Sequence, residues 1–185
     1  PTGVGVVINQ ARPKKNSVCG VMGVGSVGIF SMIALKGLGI KKIIAIDSNK
    51  DRLNFLKRLG FKNILNSQDK YFKKKLLKIT ENNMLDYCFE CSGKANIISE
   101  SMQLLSKSGM VYFVSHPNTK DNIKIKPYDL ISGKNIYGSW GGSSKLEKDF
   151  QKFYKIIKKS NIDLNKISKK IEFKDLIKVF NKKKK

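Results

Sequence analysis

The sequence is poor in several features that mark specialised classes of protein. Its three cysteines are an odd number without a spaced framework, so we expect a reducing, cytoplasmic setting rather than a disulfide-bonded secreted fold. No apolar run approaches the roughly 18 residues that a membrane span requires, and we expect no membrane partner. A single histidine confines any histidine-based chemistry to one position. These scarcities favour an ordinary globular protein.

Arginine is also scarce, although the chain is strongly basic. The net charge is +23 and the pI is about 10.0, a balance that often indicates a nucleic-acid partner. Only Arg12, Arg52 and Arg58 are arginines among the 37 basic residues. Proteins that read base edges favour the planar arginine fork, and the lysines here are spread along every predicted helix. We therefore predict no specific nucleic-acid partner, and only nonspecific attraction to polyanions at low salt.

What the chain does contain is a strand that runs into a glycine-rich turn. Residues 18–22 form a short apolar run of the kind that a buried parallel strand needs. A G-x-G-x-x-G pattern follows where a strand must turn into a helix. Gly23 allows the tight turn, Gly25 allows a pyrophosphate to approach the backbone, and Gly28 allows the helix to pack close to the strand. The pattern predicts a phosphate-binding turn.

An acidic residue follows the second predicted strand at the position that this interpretation requires. Lys42–Ile46 form the strand, and Asp47 lies 19 residues after Gly28. A carboxylate there binds the ribose hydroxyls of a dinucleotide. The alternative is a tight strand-to-helix turn without a ligand. Because the strands, helix and acid all fall in register, the dinucleotide site is favoured.

Alternation of strands and helices continues to the end of the chain. It predicts a single α/β domain over residues 1–185, a doubly wound six-stranded parallel sheet of the Rossmann type. The later strands are predicted at Asn63–Leu65, Leu85–Glu90, Met110–Val114 and Asn135–Ser139. The later helices are predicted at Lys50–Leu59, Asp69–Thr80, Ala95–Leu105, Lys126–Ile131 and Leu146–Lys158, the last with Phe150, Phe153 and Ile157 inward. A short strand (Ser168–Phe173) and a helix (Lys174–Phe180) are predicted to close the fold.

From Thr2 to Phe180 the chain resembles the coenzyme domain of medium-chain, zinc-type alcohol dehydrogenases. The resemblance depends on a series of motifs whose order and spacing cover nearly the whole sequence. The motifs are TGVG at 2–5, GVGSVG at 23–28, IIAIDSNKDR at 43–52, LGF at 59–61, DYCFECSG at 86–93, GMVYFVSHP at 109–117 and YGSWGG at 137–142.

The resemblance implies a set of residues that bind NAD. Backbone groups of Gly23, Gly25, Ser26, Val27 and Gly28 would hold the pyrophosphate. Asp47 and Arg52 would hold the adenosine ribose, and Cys91, Ser92 and Gly93 would flank the adenosine. Val114, Ser115 and His116 correspond to the segment under the nicotinamide, and Gly138, Ser139 and Trp140 to the loop that meets its carboxamide.

The resemblance also implies what this chain lacks. In the family the zinc ligands lie in a separate N-terminal catalytic domain, and none of them is present here. We therefore assign no catalytic residue and no metal ligand to this chain, and expect zinc only in that missing domain. The complete enzyme would act on an alcohol or carbonyl substrate. It would form a homo-oligomer through the sixth strand.

Several other interpretations stay open. Cys88 and Cys91 spell C-x-x-C, but positions i and i+3 of a strand point to opposite faces, which disfavours a redox or metal pair. His116 and Trp140 are more simply a loop residue and a packing residue than substrate contacts. The cofactor domain could also belong to a zinc-free quinone or enoyl reductase, or act as a nonenzymatic dinucleotide-binding module.

Overall fold

The structure, a computed structural model, describes residues 1–168 and 170–178. It contains a six-stranded sheet in which every pair of neighbouring strands is parallel. The strands are β1 (Val18–Met22), β2 (Lys42–Asp47), β3 (Asn63–Asn66), β4 (Leu85–Glu90), β5 (Leu105–Phe113) and β6 (Asn135–Gly138). Their order is β3-β2-β1-β4-β5-β6. The predicted Rossmann-type fold is confirmed.

Helices cover both faces of the sheet. They are α1 (Thr2–Gly5), α2 (Ser26–Gly37), α3 (Lys50–Arg58), α4 (Phe72–Ile79), α5 (Ala95–Ser101), α6 (Pro127–Ile131) and α7 (Leu146–Lys159). A π-helical segment, Val6–Ala11, continues α1. One core cluster joins the sheet to α1, α2, α3 and α7, and the second joins the other face to α4 and the segment after α5. The crossover helices therefore bury the strands on both sides.

Helix α7 packs directly on α2. A methyl group added to Gly37 would lie 2.1 Å from the carbonyl oxygen of Ile156, so the two backbones approach as closely as only glycine permits. Phe153 of α7 is buried in the same core cluster as Met32 and Leu35 of α2. This contact fixes the first crossover helix, whose N-terminus faces the crevice described below.

Aromatic side chains connect the last three strands. The rings of Tyr87, Phe89, Tyr112 and Tyr137 follow one another across β4, β5 and β6, with successive centroids 6.5, 6.1 and 5.0 Å apart. Stacked aromatic pairs stabilise neighbouring strands beyond the area that they bury. Tyr137 lies on the edge strand and is partly exposed.

Three local predictions differ from the structure. Residues 168 and 170–173 form no strand; Phe173–Asp175 is a 3-10 turn, and residues 176–178 are helical. Ile171 and Phe173 are exposed, so their alternating pattern meets no sheet face. The predicted strand's residue 169, and the predicted helix beyond residue 178, lie outside the described residues.

The other two differences concern α5 and α7. Helix α5 ends at Ser101 and passes through a 3-10 turn into β5, which begins at Leu105 rather than Met110. Leu105 pairs with Leu85 of β4, and the register shifts between Leu85 and Tyr87.

Phe150 was predicted to point inward, but its side chain is exposed. The apolar arc of α7 is wider than the surface that α2 offers it.

Candidate functional site

A cleft of about 330 Å³ opens at the carboxyl ends of β1, β2 and β4. The strand order reverses between β1 and β4, and in open parallel sheets ligands bind at this reversal. The cleft is lined by Met22, Gly23, Gly25, Ile46, Asp47, Ser48, Arg52, Ser67, Cys91, Ser92, Lys94 and Ile97. Six of the residues predicted for cofactor binding are therefore brought together here.

The three glycines of the turn differ in what an added methyl group would meet. Gly23 has a φ of +82°, and a methyl group there would lie 2.8 Å from the backbone nitrogen of Ser92. A methyl group on Gly28 would lie 2.1 Å from the carbonyl oxygen of Gly23, so α2 can approach β1 only with glycine at this position. Gly25 differs, because no other described residue has an atom within 4 Å of an added methyl group. The space in front of Gly25 belongs to the cleft.

The N-terminus of α2 is suited to an anion. Gly25 is the N-cap and offers no side-chain cap, and the first turn contains no acidic residue. The first bond of the helix runs from the Ile29 N–H to the Gly25 carbonyl oxygen at 2.9 Å. The N–H groups of Ser26, Val27 and Gly28 therefore precede the helical ladder, where the positive end of the helix dipole favours a phosphate. The open space at Gly25 and these donors fit a dinucleotide pyrophosphate.

Asp47 is buried at the end of β2 and holds the turn in place. One of its carboxylate oxygens accepts the N–H of Val24 and the other accepts the N–H of Asn49, both at 2.8 Å. Arg52 forms an ion pair with Asp47 at 3.6 Å, and its side chain is more than half exposed. Each carboxylate oxygen can accept more than one hydrogen bond, so Asp47 keeps acceptor capacity toward the cleft.

Glu90 is a buried acid under the turn that closes the cleft beside Gly23. Its Oε1 accepts the Ser92 N–H at 2.6 Å and the Ser92 hydroxyl, whereas its Oε2 has no partner within the described residues. Burial raises the pKa of the Glu90 carboxyl, and the hydrogen bonds from Ser92 oppose that rise. Glu90 thus orients Ser92, whose backbone touches the glycine turn.

The residues predicted for the nicotinamide lie outside this cleft, at the ends of β5 and β6. Val114 and Ser139 are buried, and the Ser139 hydroxyl bonds the side-chain oxygen of Gln10. The Ser115 hydroxyl is buried, and no residue in the described part of the chain hydrogen-bonds to it. His116 is exposed and meets Trp140 edge to face, with ring centroids 4.7 Å apart. The two rings at this side of the crevice are therefore accessible to solvent.

The two cysteines of the C-x-x-C pattern do not converge. Cys88 lies in one core cluster and Cys91 packs against the other, on opposite faces of the sheet, as the strand geometry predicts. Burial raises the pKa of both thiols well above the ordinary value, which disfavours the reactive thiolate. Within residues 1–168 and 170–178, no group of three or more His, Cys, Asp or Glu side chains could hold a metal ion.

Several residues that line the cleft were not predicted from the sequence. Lys94 and Ile97 follow the turn after β4, Ser67 follows β3, and Ser48 follows Asp47. The available signal was positional, because residues directly after parallel strands meet at one edge of the sheet.

A second cleft, of about 580 Å³, lies along α3 and β3 beside Lys50, Lys57 and Lys75. It lacks a glycine turn and lies away from the strand-order reversal, so we place the ligand in the smaller cleft.

Comparison with known protein families agrees with this fold and this site geometry. The model of the family described as zinc-binding dehydrogenase matches residues 26–159, which is more than half of the chain. The chain belongs to the zinc-binding dehydrogenase family. The predicted resemblance to zinc-type alcohol dehydrogenases is thus confirmed. No helix in the described part of this family member is long and apolar enough to cross a membrane.

Individual members of the family cover the chain almost completely. Alcohol dehydrogenase 1 of Petunia hybrida is 26% identical over 97% of this chain and 48% of its own length. The structure of benzyl alcohol dehydrogenase from Acinetobacter calcoaceticus matches 99% of this chain with a TM-score of 0.89 and 24% identity, over 51% of its own chain. An alcohol dehydrogenase from E. coli CFT073, solved with NADH, matches 97% of this chain and 53% of its own, with a TM-score of 0.80 and 16% identity. The chain spans about half the length of these relatives.

Proposed function

We propose that this chain is the NAD(H)-binding domain of a zinc-dependent alcohol or polyol dehydrogenase. The observation that carries the proposal is one crevice at the strand-order reversal. It combines an open glycine turn, an uncapped helix N-terminus and the buried carboxylate of Asp47. The family supports the same conclusion. NAD, when bound, supplies the hydride acceptor for an alcohol carbon.

The residues of this chain would bind and orient the dinucleotide. The N–H groups of residues 26–28 would meet the pyrophosphate in front of Gly25. Asp47 would accept hydrogen bonds from the adenosine ribose hydroxyls, and Arg52 would lie over the same ribose. The segments at 114–116 and 138–140 would lie along the nicotinamide. Substrate contacts would come from both halves of the full-length protein.

Asp47 predicts selectivity for NAD(H) over NADP(H). A 2′-phosphate would meet a buried carboxylate whose nearest counter-charge, Arg52, is largely exposed and 3.6 Å away. Such a like-charge clash costs several kcal/mol, or roughly a hundredfold or more in affinity. Calorimetric titration of both cofactors tests this. Equal affinities, or an unchanged preference in Asp47→Gly, would contradict the assignment.

Turnover is expected to need more than this chain. Hydride transfer in zinc enzymes requires a Lewis acid that polarises the substrate oxygen, held by three protein ligands with an open position. We expect the isolated 185 residues to bind NADH but not to reduce NAD with primary alcohols or polyols, with or without added zinc. Steady turnover that is lost on mutation of His116 would place the chemistry in this chain and overturn the proposal.

We also propose that two copies associate through β6. This strand is an edge of the sheet, and Tyr137 is partly exposed there at the end of the aromatic series. An unpaired edge invites pairing, and two-fold symmetry is the commonest arrangement. The charge of +23 opposes association, so the experiment needs moderate salt. A monomeric mass by light scattering at high protein concentration would count against this interface.

A further inference from the structure

The second cleft, along α3 and β3, shares no lining residue with the cleft at the strand-order reversal. Its volume of about 580 Å³ is the larger of the two. It is lined by Lys50, Leu53, Asn54 and Lys57 of α3, by Ile64, Leu65 and Asn66 of β3, and by Gln68, Asp69 and Lys75. The proposed binding of NAD therefore gives the second cleft no role.

Strand β3 is an edge of the sheet, so part of its backbone faces away from β2. The N–H of Ser67, directly after β3, donates to the Asp47 carbonyl oxygen of β2 at 3.0 Å. Because backbone direction alternates along a strand, the N–H and C=O of Leu65 face β2 as well. The N–H and C=O of Ile64 and the N–H of Asn66 therefore face outward. Among the described residues, none pairs with Ile64 on that outer edge.

The charge beside this edge is positive. Lys50 and Lys57 lie seven residues apart on α3, so they project from the same side of the helix, and both are exposed. Neither forms an ion pair within the part of the chain that the structure describes. Asp69 is the one acidic residue that lines the second cleft, and it is already paired with Lys75. Unpaired backbone groups and uncompensated positive charge thus occur together.

This combination favours one kind of occupant. Lysines beside an edge strand discourage pairing with a second copy of the chain, because like charges would be brought together. A phosphate group supplies only hydrogen-bond acceptors, whereas the outward carbonyl oxygen of Ile64 needs a donor. An extended peptide supplies both donors and acceptors from its main chain, and acidic side chains on it would complement the lysines.

We propose that the second cleft binds an extended acidic segment of a partner protein, which adds to β3 as a seventh strand. In antiparallel orientation, one residue of the segment would exchange both hydrogen bonds with Ile64, and a carbonyl oxygen would accept the Asn66 N–H. Carboxylates of the segment would lie near Lys50 and Lys57. The side chains of Ile64 and Leu65 already pack in the two different core clusters, so the sheet can be extended without rearrangement of β3.

A model peptide tests the charge complementarity on the 185-residue chain. The probe is a fluorescein-labelled heptapeptide in which glutamate and valine alternate, followed by anisotropy at about 150 mM salt. The double substitution Lys50→Gln with Lys57→Gln should weaken binding about fivefold or more. Lys148→Gln with Lys155→Gln is the matched control, because these exposed lysines also lie seven apart on one helix, α7. The control should change affinity less than twofold, and equal losses would overturn the proposal.

Amide hydrogen exchange measured by NMR tests the addition of a strand. In the free protein the Leu65 amide should exchange slowly, whereas the Ile64 and Asn66 amides should exchange faster. Saturating peptide should slow exchange at Ile64 and Asn66 at least about tenfold and leave Leu65 unchanged. The same peptide methylated on all of its backbone nitrogens keeps every charge but cannot donate to Ile64. Equal binding of the methylated peptide, or binding without this protection, would overturn the proposal.

The other occupants have distinct signatures in the same experiments. Protection of Ile64 and Asn66 that is present without peptide and disappears on dilution would assign the edge to a second copy. A single-stranded polynucleotide that binds through Lys50 and Lys57 more tightly than the peptide, without amide protection, would assign the second cleft to phosphates. Either result, or the absence of peptide binding at this salt concentration, would overturn the proposal. No measurement here contains a dinucleotide, so the outcome does not depend on whether the chain binds NAD.

Discussion

The two sides of the crevice differ in how completely this chain builds them. Beside β1, β2 and β4, the turn, the helix N-terminus and two buried acids interlock through backbone contacts. Beside β5 and β6, His116 and Trp140 are exposed, and the Ser115 hydroxyl lacks a partner among the residues that the structure describes. The side that we propose for the adenosine is thus held together by contacts within this chain. The side that we propose for the nicotinamide is exposed.

The largest effect on stability and on NADH binding is expected from a substitution at Gly28. The substitution Gly28→Ala forces a methyl group to within 2.1 Å of the Gly23 carbonyl oxygen, so α2 must move away from β1. Overpacking of this kind costs about 3 kcal/mol. We expect a large loss of stability in urea unfolding and, with it, loss of NADH binding. An unchanged midpoint would mean that the turn is looser than the structure shows.

Gly25→Ala is the matched control and the second prediction. The methyl group meets no atom of residues 1–168 or 170–178 within 4 Å apart from its chain neighbours, and the backbone at Gly25 has a φ of −72° that alanine adopts freely. Stability should therefore hold, while the methyl group occupies space needed by the pyrophosphate. We expect NADH to bind roughly ten- to a hundredfold more weakly. Full affinity with full stability would place the pyrophosphate elsewhere.

The substitution Glu90→Gln tests the closed side of the crevice through the pH dependence of protein stability. Because the folded-state pKa of Glu90 is raised by burial, the folded protein binds its proton more tightly than the unfolded chain does. The free energy of unfolding should therefore fall as pH rises from the ordinary glutamate pKa to the raised value. Glutamine carries no such titration and still accepts from Ser92. The Tm of the variant relative to wild type should increase across that window and then stay level.

The outcome is read as the difference between the two proteins, since every other titrating group is shared. Within the described residues no lysine or arginine forms an ion pair with Glu90, so no lost salt bridge complicates the difference. A constant Tm difference from about pH 4, near the ordinary glutamate pKa, up to about pH 8 would refute the raised pKa.

The smallest effects are expected on the open side. His116→Ala and Trp140→Ala remove exposed side chains whose rings meet edge to face. In the 185-residue chain each should change NADH affinity by about twofold or less, the range of ordinary surface substitutions. Fluorescence titration measures this directly. A loss as large as that of Gly25→Ala would show that the chain completes the nicotinamide side by itself.

The signals from which the sequence predicts the closed side of the crevice are local. The strand before Gly23, the glycine spacing and Asp47 at the end of β2 each have a physical reason within about 30 residues of chain. The partners of Asp47 and Glu90 were not predictable, since they depend on how Val24, Asn49 and Ser92 fold back. Phe150 was misassigned for a related reason. Periodicity shows that a residue is apolar on one face, but not which surface covers it.

Trp140 gives the chain a built-in optical reporter. It is the sole tryptophan of these 185 residues and is 81% exposed. Its emission should be red-shifted, as for an indole in water, and sensitive to its contact with the adjacent His116 ring. Excitation at wavelengths that tyrosine does not absorb would report only this position. A blue shift of the Trp140 emission on addition of a ligand or a partner would show that it covers the open side of the crevice.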